Sequence, residues 1–236
     1  MQHEKCDSAK QAMKASVLFL IFFCGFAFAT QDAHAQKGVK KVDVSSELMR
    51  SLVTQKVDPD YPAKAAAAKI EGPVVLSVTV GQDGSVLEVG PVKCGQAVLE
   101  RAAIAAVKQW HYKQPVVHGQ PVEVQGDVVV DFLRPRTPGE TTRMRVDTET
   151  AESHIASQAA PLYPEAAKRQ RIQGCVVVHA EINKDGKVEH AKAVSGPPLL
   201  SESAQSAVSQ YRYKPFEQNG VAADVDIYVI VKFALH

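Results

Sequence analysis

The chain has little that would mark a specialised class. It carries four cysteines in 236 residues and no C-x-x-C pair, which excludes a disulfide-dense scaffold. Neither sign of charge dominates: 27 basic residues face 26 acidic ones, for a net +1. Such a balance builds no broad basic field, so nucleic acid is excluded as the main partner. No apolar run reaches the ~20 residues of a membrane-spanning helix. Collagen-like, coiled-coil and multi-span membrane classes fall with it. There is no G-x-S-x-G, H-E-x-x-H or P-loop, so no familiar catalytic constellation is present.

What is present is ordinary core-forming material. The hydrophobic content is 45%, well above that of a disordered chain. The length allows one or two domains. One segment stands apart: Ala15–Ala29 is 15 residues without a charge, preceded by Lys5, Lys10 and Lys14. It fits a signal-peptide core, and Ala33-His34-Ala35 supplies small residues at Ala33 and Ala35 for cleavage before Gln36. Residues 1–35 are therefore expected to be a signal peptide, with an uncleaved anchor as the alternative. Secretion follows, and the exported chain keeps only Cys94 and Cys175. An oxidising compartment permits a bond between them. Their positions in the repeat described next are unrelated, so two separate thiols are expected.

The remainder is one unit written twice. Tyr61-Pro62 recurs as Tyr163-Pro164, Gly72 as Gly174, and Asp83-Gly84 as Asp185-Gly186. After the loss of one residue, Trp110 maps to Tyr211, Tyr112-Lys113 to Tyr213-Lys214, and Phe132 to Phe233. The expected divisions are a lead-in over 36–58, a first domain over 59–133, a polar linker over 134–158 and a second domain over 159–236.

Each unit reads as α-β-β-α-β. Tyr-Pro opens a short alanine-rich helix, Ala63–Lys69 or Glu165–Arg171. The strand from Val74 to Val80 alternates apolar and mixed positions, as does Val176–Ile182. Asp-Gly turns supply the φ > 0 residue of a hairpin. Leu99, Ala103, Ala106 and Trp110 form one helical stripe, matched by Leu200, Ala204, Ala207 and Tyr211. A long strand closes each unit. The expected fold class is α+β: two tandem domains, each a small antiparallel sheet with helices on one face and two free edges.

No acid–base, nucleophilic or metal constellation emerges. His111, His118, His179 and His190 have no ligand partners at useful spacing. Asp58 and Asp60 flank Pro59, but copy two has Ala160 and Leu162 there. An enzyme is not expected, and no catalytic, cofactor or metal residue is assigned.

The ordered set of P-x-Y-P-x-x-A, I-x-G-x-V-V, D-G-x-V, aromatic-x-Tyr-Lys and V-x-V-x-V-x-F resembles the TonB C-terminal domain family. The residues that carry the resemblance are Tyr61, Pro62, Gly72, Asp83, Gly84 and Trp110 in copy one. In copy two they are Tyr163, Pro164, Gly174, Asp185, Gly186, Tyr211, Tyr213 and Pro215. The match spans 59–133 and 161–235. Copy one departs at Pro73, Cys94-Gly95 and Gln114.

The resemblance implies a periplasmic energy-transducer domain that grips TonB boxes, short extended segments of TonB-dependent outer-membrane receptors, in support of transport. The same family is driven by a proton-powered inner-membrane motor complex. The implied physical basis is β-augmentation, in which a strand edge offers unpaired N–H and C=O groups to a peptide. Candidate pairing positions are Val124, Gln125, Val128 and Val130 in copy one. In copy two they are Val225, Asp226, Ile227, Tyr228, Val229, Ile230 and Val231. Copy two is expected to be the better binder, with Asp224, Asp226, Tyr228, Ile230 and Lys232 pointing outward. Pairing of two such edges would instead give a homodimer. Ala15–Ala29 lacks an internal His, and no long proline-rich span precedes the first domain. A periplasmic scaffold that uses the same fold without energy transduction is therefore the alternative.

Overall fold

The computed structural model describes residues 41–134, 139 and 143–235. The expected signal peptide, with Ala33 and Ala35, lies outside them. Copy one starts with strand β1 (Lys41–Asp43), helix α1 (Ser46–Leu52) and strand β2 (Val53–Gln55). Helix α2 (Ala63–Ala67), strands β3 (Gly72–Val80) and β4 (Val86–Cys94), and helix α3 (Ala97–Val107) follow. Short strands β5 (His111–Tyr112), β6 (Val116–Val117) and β7 (Gln120–Pro121) lead into the long β8 (Glu123–Phe132).

Copy two repeats this order. It opens with β9 (Met144–Arg145), α4 (Thr148–Ser153) and β10 (Ile155–Ser157). Next come α5 (Glu165–Arg169), β11 (Gly174–Ile182), β12 (Val188–Ser195) and α6 (Pro198–Ser209). Strands β13 (Arg212–Tyr213), β14 (Glu217–Gln218), β15 (Val221–Ala222) and β16 (Val225–Phe233) complete it.

The repeat is therefore longer than its sequence matches. Residues expected as a lead-in and as a linker form equivalent strand–helix–strand units. Ser45 caps α1 by accepting from the Leu48 N–H at 3.2 Å, and Asp147 caps α4 by accepting from the Thr150 N–H at 2.7 Å. Each cap satisfies one of the orphan donors of a helix start. The two helices, SELMRSL and TETAES, are related by cap and position, with little residue identity.

Each long strand pair is antiparallel, with Gly72↔Phe132 through Val80↔Val124 in copy one and Gly174↔Phe233 through Ile182↔Val225 in copy two. The full orders are β1-β8-β3-β4 and β12-β11-β16-β9. Helix α3 buries Leu99, Ala103 and Val107 against Val74, Leu76 and Val78, while α6 buries Leu200, Ala204, Ala207 and Val208 in the same way. Each fully buried Val, Leu or Phe side chain contributes roughly 1.5–3 kcal/mol.

The opposite faces of the sheets are not left to solvent. Strand β3 is buried at every position, including Val75, Ser77 and Thr79. The two sheets meet there: Val75, Cys94, Cys175 and Val177 form a shared cluster with Val129, Val194, Tyr228 and Ile230. The layers run helix, sheet, sheet, helix, and the described residues form one compact unit.

That packing corrects the expectation for the cysteines. Cys94 and Cys175 are joined in a disulfide, with their Cα atoms 5.8 Å apart. Polar contacts accompany the bond. The Ser195 hydroxyl donates to the Gly95 carbonyl at 2.6 Å, and the Gln96 amide donates to the Val194 carbonyl at 2.7 Å. Arg50 of α1 meets its own counterpart, Glu152 of α4, at 2.8 Å. Glu71 receives Arg134 at 3.1 Å and Arg145 at 3.0 Å, all three largely buried.

Candidate functional site

The candidate residues lie on the outer long strands, β8 and β16, but their edges are not free throughout. Val124 and Gln125 pair in parallel with Val42 and Asp43 of β1, and the Val44 N–H donates to the Gln125 carbonyl at 2.8 Å. Val225 and Asp226 pair with Met144 and Arg145 of β9, and the Met144 N–H donates to the Asp224 carbonyl at 2.8 Å. Three strands were expected to leave this edge open. A fourth, absent from the apolar pattern because it spans only two or three residues, takes its first positions.

Beyond Gln125 the pairing on that side stops among the described residues. Because N–H and C=O directions alternate along a strand, Asp127, Val129 and Asp131 share the outward direction of Gln125. Their side chains turn toward the sheet interface. Val128, Val130 and Phe132 put theirs in the helix-side core.

A groove runs beside this stretch of β8. Its larger part, about 430 Å³, is lined by Lys56–Pro59, Tyr61, Trp110, Val130–Leu133, Asp147 and Glu149. A neighbouring part of about 260 Å³ adds Arg50, Val53, Val128 and Val129. The far wall is fixed by Trp110, whose indole N–H donates to the Val57 carbonyl at 2.9 Å. Lys56 lies over that ring, 5.2 Å from its centroid. Asp131 accepts from the Thr148 backbone N–H at 3.3 Å and its hydroxyl at 2.5 Å, and burial pushes the carboxyl pKa up.

The counterpart of the smaller part in copy two is narrower, about 160 Å³ beside Tyr228, Val229 and Ile230. Gln158, the counterpart of Lys56, lines this space and donates to the Tyr211 hydroxyl at 2.8 Å. Tyr228 and Ile230, expected as exposed selectivity positions, pack in the cluster between the sheets instead. Burial raises the Tyr228 hydroxyl pKa. Asp226 faces His179 at 4.0 Å and is likewise shifted upward by burial. Ile227, Val229 and Val231 are core residues.

The shared motif residues build the frame. The hydroxyls of Tyr61 and Tyr163 donate to the carbonyls of Ile70 and Ile172. Their rings meet Phe132 and Phe233 edge-on. Pro62 and Pro164 are the N-cap residues of α2 and α5. Gly72 and Gly174 begin β3 and β11 with positive φ. Asp83 accepts from Ser85, whereas in copy two Asn183 does this work and Asp185 only supplies an N–H to it. Gly84 and Gly186 accept from the Tyr112 and Tyr213 N–H groups at 2.9 and 2.8 Å. Tyr112 and Tyr213 bury hydroxyls that have no partner among the described residues. Tyr211 fills the core, and Pro215 follows β13.

Sequence reasoning missed Lys56, Val57, Asp131, Asp147 and Glu149. Asp58 it considered only as half of a carboxylate pair. One signal was available: the outward position Asp131 matches Lys232 in copy two, a charge reversal on otherwise similar strands. Among the described residues there is no cluster of three or more potential metal ligands, and no helix is long and apolar enough to cross a membrane.

The family model described as the Gram-negative bacterial TonB protein C-terminal matches residues 57–133 and again 159–235. Two relatives, each called Protein TonB, come from Xanthomonas campestris pv. campestris strains B100 and ATCC 33913. Each is 34% identical over 92 residues, which cover 39% of this chain and 38% of the relative. The chain thus spans well under half the length of these relatives.

Proposed function

The chain belongs to the TonB C-terminal family, and we propose that it is a periplasmic module that binds extended segments of outer-membrane receptors by strand addition. The observation that carries this reading is the edge of β8, where pairing with β1 ends at Gln125 and a groove continues along Val128–Leu133. A peptide laid there would complete the alternating bonds that the edge offers, as strand-adding ligands do. Side chains on one face of such a peptide would enter the groove between β8 and Trp110. The chemistry asked of the protein is binding and force transmission, which needs neither a catalytic residue nor a cofactor. Partners in this reading are TonB-dependent receptors, with an inner-membrane motor complex as the source of energy.

The test is a titration of the purified chain with synthetic decapeptides carrying TonB-box segments of receptors from the same cells. Backbone amide resonances report the site. Shifts concentrated at Asp127–Leu133, or at the matching stretch Tyr228–Ala234, are expected. No shift at millimolar peptide, or shifts confined to the helical faces, would reject strand addition.

A further inference from the structure

Copy one and copy two present unequal edges. The smaller part of the groove beside β8 holds about 260 Å³, against about 160 Å³ in its counterpart beside β16, and in copy one it adjoins a further space of about 430 Å³. In copy two Gln158, which lines the corresponding space, is tied to the Tyr211 hydroxyl. In copy one Lys56 replaces Gln158 and sits over Trp110, which leaves the channel beside β8 open.

The open groove also has a sign. Its larger part is lined by four carboxylates, Asp58, Asp131, Asp147 and Glu149, against the single Lys56. Arg50, in the smaller part, is already paired with Glu152. Asp131 is the most enclosed of the four and has only Thr148 as a hydrogen-bond partner among the described residues. Burial disfavours its charged form, and the bonds from Thr148 and the charge of Lys56 offset this only in part.

From these observations we infer that the peptide seat is on copy one, and that it selects an extended segment in which a basic side chain adjoins an apolar one. The alternation of a strand supplies the geometry. A residue pointing toward the helix side meets Val57 and Trp110. Its neighbour points to the opposite face, where Asp131, Asp147 and Glu149 gather. A lysine or arginine there meets an excess of carboxylates in a partly desolvated groove, where complementary charge discriminates between partners. The inference rests on the strand-addition reading above and reverses the expected preference for copy two.

The test uses the full chain and one TonB-box decapeptide made in three series, with Lys, norleucine or Glu placed at each position in turn. Fluorescence anisotropy gives the affinities. On the wild-type chain, the best Lys peptide should bind about tenfold or more tightly than the Glu peptide substituted at the same position. Glu149→Gln, at an exposed site, should shrink that ratio. Asp131→Asn should shrink it further, whereas Asp185→Asn on a copy-two turn should leave it intact. Equal affinity for all three peptides would overturn the charge selectivity while leaving strand addition standing. A lysine preference that survives both groove substitutions would overturn the location. Failure of every peptide to bind would reject strand addition itself, and this inference with it.

Discussion

Cys94 and Cys175 occupy positions that are not equivalent in the two copies, yet they are bonded, with Cα atoms 5.8 Å apart. Cys94 corresponds to Ser195 and Cys175 to Pro73. Two similar sheets packed face to face bring these unlike positions together, while Arg50 and its counterpart Glu152 are like positions that meet. The bond closes a loop with a sequence separation of 81 residues. A non-reducing digest is expected to yield a cross-linked peptide pair containing both cysteines. Replacing both by serine should lower stability by about 2–4 kcal/mol on loop-closure grounds. Unfolding should stay a single transition, because Val75, Val177 and Tyr228 still join the sheets. Two free thiols in the unreduced chain would refute the pairing.

The turns make a second prediction. A Cβ on Gly84 would lie 2.1 Å from the Tyr112 carbonyl oxygen, and one on Gly186 would lie 1.9 Å from that of Tyr213. Both glycines also have positive φ, +85° and +77°. Backbone cannot yield as a flexible side chain can. Gly84→Ala and Gly186→Ala should each cost about 3 kcal/mol or more in urea denaturation. A loss below 1 kcal/mol in either would mean that the turn and the tyrosine strand separate easily.

Much of this architecture is legible in the residues. Period-two strands, Asp-Gly turns and the Leu-Ala-Ala-aromatic stripes all mark their elements, because each follows from local geometry. Three features escape. Strands β1 and β9 are too short to show a period. Helices α1 and α4 share a capping role, filled by Ser45 in one and Asp147 in the other, so residue matching misses them. The sheet-to-sheet packing is a tertiary event. Its trace is Val75 and Val177 at positions where a solvated face would carry polar residues. The groove is less legible still, since its walls come from β8, the segment after β2, Trp110 and the start of α4.

Asp131 gives a pH-dependent prediction. Burial is the largest influence on it and raises its pKa above the unfolded value. A carboxyl shifted in this direction contributes its stability below the unfolded pKa, near 3.9, and loses it as pH rises through the folded pKa. At neutral pH the charged group is therefore a cost. An Asn side-chain oxygen can still accept from Thr148. Asp131→Asn should raise the melting temperature relative to wild type, and the gap should widen from pH 4 to pH 7. A gap that is flat or narrows over that range would contradict the assignment.

The last prediction concerns Tyr228, whose ring carbons would lie 3.2 Å from a Cβ added to Gly72. The tyrosine sits on the face of β16 that packs against copy one, and its ring also lies 5.1 Å from that of His179. Truncating a large, mostly buried ring leaves a cavity, so Tyr228→Ala should cost about 3 kcal/mol. Gly72→Ala should also destabilise, because its φ of +124° is foreign to L side chains and the new methyl presses on the ring. In the double variant the ring is gone and only the backbone strain remains. The combined loss should therefore fall short of the sum by roughly 1 kcal/mol, as expected for residues in contact. Strict additivity in urea denaturation would show that the two do not touch in solution. Peptide affinity at the copy-one groove should be unchanged in Tyr228→Ala under conditions where the chain is folded. If instead affinity falls with the fold intact, the working edge is β16, and the seat must be moved to copy two.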